Sequence, residues 1–230
     1  MKKSFVSGIC AGILISIGGT VYLNCDNKYA GALLFSVALV CICSMGYSLF
    51  TGKVGFAIYE HSRNDLFFLI CCLFGNAFGT LVSAFAVKTA LPAVSETALT
   101  LCAAKLEQSV PAAVIRAVFC GILMYLAVAV WRERKSYIGI VFCVPVFILS
   151  GFEHSIADMY YFFVSSSYSV NSFAYLILIV FGNTLGGLLL PALGLLCKPH
   201  EKKQKAVEFD INADYRQQSQ RKENLHGQKN

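Results

Sequence analysis

The sequence predicts an all-α membrane protein with six transmembrane helices in two inverted three-helix repeats, of which the second and fifth helices are broken. Hydrophobic residues make up 57% of the 230-residue chain and charged residues only 14%, which is too apolar for one soluble domain. Apolar stretches recur along the chain, and a span needs about 20 such residues to cross the hydrocarbon. The two halves also share a tripeptide and a matching interruption, which indicates an inverted repeat.

The first half contains three predicted spans. Span 1 covers residues 5–23 behind two lysines, a pattern that a cleavable signal peptide also has. Its length, its glycines and the spans behind it favour a retained helix. Span 2 covers residues 29–47 and is interrupted at residues 48–53 before a short apolar piece. Span 3 covers residues 66–87.

The second half repeats this order after a connection at residues 88–109. The connection holds a proline and several charged residues, so we expect an extramembrane loop that folds back toward the pore. Span 4 covers residues 111–131. Span 5 begins near Tyr137 and is interrupted at residues 151–154, and the piece that follows is too short to cross alone. Span 6 covers residues 174–197.

Two regions follow from this reading: a pore domain at residues 1–197 and a polar tail at residues 198–230 that we expect to be disordered. The net charge is +6, but the basic residues flank the spans or lie in the tail, which indicates membrane orientation rather than nucleic-acid binding. Placing both termini in the cytoplasm, in the cell's inner (plasma) membrane, puts most lysines and arginines inside.

The repeat is marked by Phe74-Gly75-Asn76 in span 3 and Phe181-Gly182-Asn183 in span 6. Each tripeptide follows an interrupted span at a similar interval, and the second copy enters the membrane from the opposite side. Chance recurrence in apolar, glycine-rich sequence is the alternative for the tripeptide alone. We interpret Asn76 and Asn183 as packing positions of the repeat, since their glycine neighbours let helices approach closely.

The two interruptions are the candidate functional site. Broken helices survive in a membrane only where protein or a watery cavity surrounds them, and the ends of half-helices attract anions. His154 lies at the second break and titrates near neutral pH, so it is a candidate for proton exchange with a weak acid. The alternative is a histidine hydrogen-bonded to Glu153 that secures the bend. Glu153 itself is favoured as an anchor, while Asp158 either pairs with His154 or faces the membrane surface.

Other polar and aromatic residues allow two interpretations. Thr51 at the first break is a hydroxyl donor for an anion or for His154. Lys105 either draws anions inward or is a solvated loop lysine. The three phenylalanines either narrow the pore or simply pack: Phe35, Phe50 and Phe147.

Several functions are disfavoured. The cysteines lie mostly in apolar runs without a Cys-x-x-Cys motif, so we expect packing rather than a metal or redox site, and no cofactor. No His-Glu-x-x-His motif exists and no second histidine lies in a span, which argues against an enzyme. A water or glycerol pore would carry two Asn-Pro-Ala motifs, and the chain has neither.

The stretch from Gly151 to Met159, Gly-Phe-Glu-His-Ser-Ile-Ala-Asp-Met, resembles the fifth-span motif of the formate/nitrite transporter family. Leu49-Phe50-Thr51 resembles that family's second-span loop, and residues 120–128 and both Phe-Gly-Asn tripeptides fall where its other patterns fall. The resemblance covers the chain up to about Cys197. It implies an aquaporin-like protomer in a homopentamer, each protomer with its own pore.

The resemblance also implies residue roles. His154 is the central pore histidine and Thr51 its partner on the opposite loop. Lys105 is the vestibule lysine, and the three phenylalanines are the hydrophobic constrictions. Two residues depart from the pattern: Asp158 replaces an asparagine common in formate channels, and Gly121 replaces an asparagine frequent in span 4, as in the hydrosulfide-type branch.

We therefore expect a channel or proton-coupled transporter for small monovalent weak-acid anions, with formate or nitrite as the leading substrates. Its partners would be the anion, a proton and the lipid bilayer. A hydrosulfide channel of the same family is the alternative. A membrane scaffold that recruits a soluble partner through the tail is the alternative from another class.

Overall fold

The computed structural model describes residues 2–59 and 63–197, and within these ranges the chain is almost entirely helical. The predicted tail at residues 198–230 lies outside the described residues. Five helices are long and apolar enough to cross a membrane in the described part of the chain. These are α1 (Lys2–Asn24), α2 (Lys28–Met45), α4 (Arg63–Ala90), α6 (Val110–Arg134) and α9 (Val170–Cys197).

The remaining helices are short. Helix α3 (Phe50–Lys53) continues into a 3-10 turn at Val54–Ile58, and α5 (Pro92–Leu106) joins α4 to α6. Helices α7 (Ile138–Leu149) and α8 (Ser155–Val164) together occupy the predicted fifth span. Neither piece alone is long enough to cross about 30 Å of hydrocarbon.

The prediction that residues 88–109 form a loop is wrong, because the segment is helical. The segment folds as the end of α4 and the whole of α5, with Pro92 at the first helical turn, where its missing N–H costs no hydrogen bond. Small and apolar side chains recur at helical spacing along one buried stripe of α5: Val94, Ala98 and Cys102. Lys105 lies on the same stripe. The helix packs along α8, where the Ser95 hydroxyl donates to the Val164 carbonyl oxygen at 2.7 Å.

Two helix pairs form the frame of the molecule: α1 with α4, and α6 with α9. Glycines line both contacts. A Cβ atom added at Gly79 would collide with the Ile9 carbonyl oxygen, and one added at Gly186 would collide with the Val118 carbonyl oxygen. Close backbone approach of this kind needs residues without a side chain. The short segments then cross between the pairs, because α8 packs on α4 and the 3-10 turn packs on α9.

Candidate functional site

Both breaks begin with a glycine in the left-handed backbone region. Helix α2 ends at Gly46 (φ 69°), and the turn behind α7 reaches Gly151 (φ 68°). After each glycine, a backbone N–H donates a hydrogen bond to one of the last carbonyl oxygens of the helix. Tyr47 N–H donates to the Ile42 oxygen and Phe152 N–H to the Phe147 oxygen, both at 2.9 Å. This is the usual glycine-terminated end of a helix. Both interruptions are therefore defined turns with satisfied backbone groups.

Asn76 holds the first break in place. Its amide oxygen accepts the Phe50 N–H at 2.9 Å, and its amide nitrogen donates to the carbonyls of Gly8 and Ser48, both at 2.9 Å. The side chain is fully buried. It thereby satisfies backbone groups that a broken helix would leave unpaired in a membrane.

Asn183 makes the matching set of bonds at the second break. Its amide oxygen accepts the Ser155 N–H, and its amide nitrogen donates to the carbonyls of Ala117 and Glu153, all at 2.8 Å. The two asparagines thus do more than occupy packing positions. Each ties the start of a short helix, the preceding turn and a neighbouring long helix together.

His154 and Thr51 bring the two breaks together. The Nε2 atom of His154 lies 2.9 Å from the Thr51 hydroxyl oxygen, and both residues are buried, with 2% and 0% of their surface exposed. The other ring nitrogen, Nδ1, accepts the Ala157 N–H at 3.1 Å and so caps α8. Because Nδ1 accepts, the neutral ring carries its proton on Nε2 and donates it to Thr51.

The alternative in which His154 bonds Glu153 is wrong, because both hydrogen bonds of the ring go elsewhere. Asp158 does not pair with the His154 side chain either, although its backbone N–H donates to the His154 carbonyl at 2.9 Å. It bonds Lys105 instead.

Aromatic rings cover one side of His154. The Phe147 ring stacks on the imidazole at 5.5 Å between centroids, and the Phe35 ring meets Phe147 edge-on at 6.2 Å. Phe50 is also buried, but no ring contact joins it to either of the other two phenylalanines in the described part of the chain. Phe147 therefore covers one face of the His154 ring, and Phe35 packs against Phe147.

Lys105 is buried between two carboxylates rather than solvated. Its ammonium bonds Glu153 Oε2 and lies 3.0 Å from Asp158 Oδ1, and Glu153 Oε1 accepts the Gln108 amide at 2.7 Å. Helix α5 lies outside the five long spans. Burial alone lowers the pKa of Lys105, but the carboxylates of Asp158 and Glu153 outweigh it and raise the pKa above that of an ordinary lysine. Lys105 is therefore charged at neutral pH.

A cavity of about 300 Å³ opens next to these groups, and we call it the Lys105 cavity. His154 and Phe147 line it together with Lys105, Glu153 and Asp158. Thr51, Phe35 and Phe50 are not among its lining residues.

Sequence reasoning missed one cation of this cavity, Arg116. It lies on α6 within a long apolar helix, and its guanidinium would be 3.8 Å from a Cβ atom at Gly151. Among the described residues it makes no ion pair, whereas Lys105 lies between the carboxyl groups of Glu153 and Asp158. A single arginine inside a predicted span was a signal for a functional position. Gln108 was missed too, and its bond to Glu153 joins residues far apart in the sequence.

Comparison with known proteins places this site in context. The sequence profile described as formate/nitrite transporter matches residues 1–197. The chain belongs to the formate/nitrite transporter family. The resemblance predicted from the sequence is thereby confirmed, and the family consists of transporters and channels rather than enzymes.

Members of the family show moderate identity to this chain. The formate-nitrite transporter of Plasmodium falciparum is 30% identical over 182 residues, covering 66% of this chain and 59% of that protein. The nitrite transporter NirC of Escherichia coli is 25% identical over 221 residues, covering 83% of this chain and 81% of NirC. The formate channel FocA of Escherichia coli is 29% identical over 185 residues, covering 69% and 64%. The chain therefore spans less than two thirds of the length of the Plasmodium protein and of FocA.

Solved structures of the family have the same fold. A pentameric formate channel with formate bound superposes with a TM-score of 0.72 at 24% identity, covering 85% of this chain and 96% of that one. An FNT family ion channel superposes with a TM-score of 0.70 at 22% identity, covering 86% and 89%. The chain is thus an all-α, multi-pass membrane protein of this family.

Proposed function

We propose that this protein is a channel or proton-coupled transporter for small monovalent weak-acid anions, with formate or nitrite as its substrate. The observation that carries the proposal is the buried contact between Thr51 and His154, which joins the two breaks beside the Phe147 ring, with His154 on the wall of the Lys105 cavity. A polar pair deep in an apolar bundle is expensive to bury and marks a substrate path.

The same proposal includes the architecture predicted from the sequence. The matched bonds of Asn76 and Asn183 support two inverted repeats of three helices, with α7 and α8 together as the broken fifth helix. The packing of α8 against α4, and of the 3-10 turn against α9, supports the inverted repeat as well. A homopentamer is supported by the solved pentameric formate channel with the same fold.

Lys105, Arg116 and the start of α8 would attract an anion into the Lys105 cavity. Beyond it, the Phe147 and Phe35 rings offer an apolar surface in place of water. Moving a bare anion out of water onto this surface costs much free energy, whereas moving a neutral acid costs little. His154 would donate a hydrogen bond from Nε2 to the passing solute, in exchange for the one it gives Thr51. One of the groups around His154 would supply the proton that neutralises the anion.

Orientation and location follow the charge distribution. The basic cluster at the end of α6, Arg132 and Arg134, supports a cytoplasmic position for that end, and hence cytoplasmic termini in a plasma membrane.

A hydrosulfide channel is the second candidate, and Gly121 favours it. A Cβ atom at Gly121 would lie 2.8 Å from the Gly187 nitrogen, so asparagine would not fit between α6 and α9 at this spacing. A relative with asparagine at this position would need a wider spacing between these two helices.

Uptake into liposomes tests the proposal. The purified full-length protein is reconstituted, and initial uptake of formate, nitrite and hydrosulfide is measured under an inward proton gradient, with protein-free liposomes as the control for permeation of the neutral acids. We expect saturable uptake of formate or nitrite above the control. Uptake of hydrosulfide alone would favour the second candidate, and no uptake of any of the three would contradict transport.

A further inference from the structure

The charges around Lys105 do not balance. One ammonium lies between the carboxylates of Glu153 and Asp158, and all three side chains are at least nine-tenths buried. If both carboxylates were ionised, these three buried side chains would together carry one net negative charge, and the exposed Arg116 guanidinium on the same cavity wall makes no ion pair with them in the described part of the chain. Such a charge would repel an anion that enters the cavity, because repulsion is strong where water is excluded.

The two carboxylates differ in their hydrogen bonds. Both oxygens of Glu153 accept, one from Lys105 and the other from Gln108. Asp158 accepts from Lys105 through Oδ1 only, while Oδ2 is buried and has no partner. Burying an ionised carboxylate with one oxygen unpaired costs far more than burying a neutral carboxylic acid at the same place. The proton therefore belongs on Asp158 Oδ2.

We propose that Asp158 is the proton donor of the Lys105 cavity, and that it hands the proton on Oδ2 to a small weak-acid anion held there. This inference rests on the proposed transport function and names the group that supplies its proton. The Oδ2–H bond breaks, a new O–H bond forms on the anion, and the neutral acid moves on toward the Phe147 ring. The carboxylate left behind is stabilised by Lys105, 3.0 Å from Oδ1, until a hydronium ion from the external solution protonates Oδ2 again and leaves as water.

His154 is less suited to this step. Its Nδ1 atom accepts the Ala157 N–H, so a second proton on the ring would break the cap of α8. Its Nε2 proton is the only one of the neutral ring and serves as a hydrogen-bond donor. Asp158 can gain and lose a proton at Oδ2 without breaking any hydrogen bond described here.

The other titratable groups near Asp158 do not replace it. Several phenols and thiols face Asp158 or line the cavity, one each on α1, α5, α6, α8 and α9: Tyr22, Cys102, Cys120, Tyr161 and Tyr175. Phenols and thiols are uncharged near neutral pH. The charged groups are Lys105, Arg116 and Glu153. Lys105 is held charged by its partners, Glu153 has both oxygens satisfied, and a guanidinium does not lose its proton.

The transport test compares the full-length wild-type protein with Asp158→Asn, and uses Asp26→Asn, at an exposed position between α1 and α2, as the matched control. Initial formate uptake into liposomes is measured over a range of external pH and formate concentrations. In the wild-type and control proteins, KM rises as pH increases, by up to about tenfold per pH unit, because the deprotonated cavity repels formate. In Asp158→Asn, KM changes less than about twofold over the same range, and the maximal rate falls at least about tenfold.

A second measurement needs no substrate. Infrared spectra of the reconstituted protein near neutral pH show the C=O stretch of a protonated carboxylic acid, which we expect in the wild-type protein and in Asp26→Asn but not in Asp158→Asn. An unchanged KM profile in Asp158→Asn, or an acid band that survives the substitution, would overturn the assignment. A wild-type protein that shows the band but moves no formate would instead contradict the proposed function, and the donor role with it.

Discussion

Thr51 Oγ1 and His154 Nε2 lie 2.9 Å apart and connect the two broken helices of the protein at a point with almost no exposed surface. The contact joins residues 103 positions apart in the sequence, one from each half. The cap bond from Ala157 to Nδ1 fixes the direction of this hydrogen bond, so Thr51 is the acceptor. In the proposed function, a solute that passes this point would accept the hydrogen bond from Nε2–H in place of Thr51.

Replacing Thr51 tests this exchange. Thr51→Val keeps the shape of the side chain but removes the oxygen that accepts the His154 proton, and a buried donor without a partner costs about 1–3 kcal/mol. We expect formate uptake to fall at least about tenfold, which corresponds to ~1.4 kcal/mol. Thr51→Ser keeps the hydroxyl and should stay within about threefold of the wild-type rate, less than ~0.7 kcal/mol. Equal uptake by both variants would show that the hydroxyl has no role.

Removal of the Lys105 charge should destabilise the protein. Lys105→Gln leaves Glu153 and Asp158 buried without their shared cation, and breaking a buried ion pair costs about 3–5 kcal/mol. The melting temperature in detergent should fall, and adding Glu153→Gln should restore part of the loss by removing the ionised carboxylate that Lys105 pairs with. Lys88→Gln, at an exposed lysine bonded to Ser166, is the control and should leave the melting temperature nearly unchanged. No recovery in the double variant would contradict the arrangement of charges.

The two asparagines should prove equally important for stability. Asn76→Leu and Asn183→Leu each remove three hydrogen bonds to the backbone and leave buried backbone groups unpaired, at about 1–3 kcal/mol for each group. We expect both variants to melt well below the wild-type protein, measured by thermal unfolding in detergent. Asn64→Leu, at an exposed position early in α4, should melt like the wild type. A normal melting temperature in either buried variant would contradict its role at the break.

Helix α9 offers a matched pair of glycines. Gly186 contacts the backbone of α6 so closely that a Cβ atom collides with Val118, whereas Gly194 has nothing within 4 Å of such an atom. Gly186→Ala should therefore force the helices apart and cost about 1–3 kcal/mol. Gly194→Ala should have no such cost, and it gains helix propensity of about 1 kcal/mol. Thermal unfolding of the two variants measures the difference, and equal melting temperatures would contradict close packing of α6 and α9.

Much of the fold could be predicted from the sequence, because local signals determine it. The long spans are continuous apolar runs, and the second break is visible as glycine, glutamate and histidine inside such a run. The helical character of α5 was missed because its polar residues suggested a loop. Two features of the sequence indicated this helix: the proline at its first turn, and the small and apolar residues that follow at helical spacing, beginning with Val94.

The partners of the charged residues could not be predicted in the same way. Lys105 and Glu153 are 48 positions apart, and Gln108 and Glu153 are 45 apart, so no local pattern pairs them. The sequence placed His154 and Glu153 side by side and thereby suggested a bond between neighbours. In the fold, a turn points the two side chains to different partners, Thr51 for one and Lys105 for the other.

The most direct test of transport at this site is to record formate and proton entry together in liposomes that contain the full-length wild-type protein or His154→Phe. We predict saturable formate uptake that increases with the inward proton gradient in the wild-type protein and is lost in His154→Phe, because phenylalanine offers no donor at the Thr51 contact. Folding of the variant is checked by its melting temperature. Formate uptake with an unchanged rate and pH dependence in a folded His154→Phe protein would contradict the account.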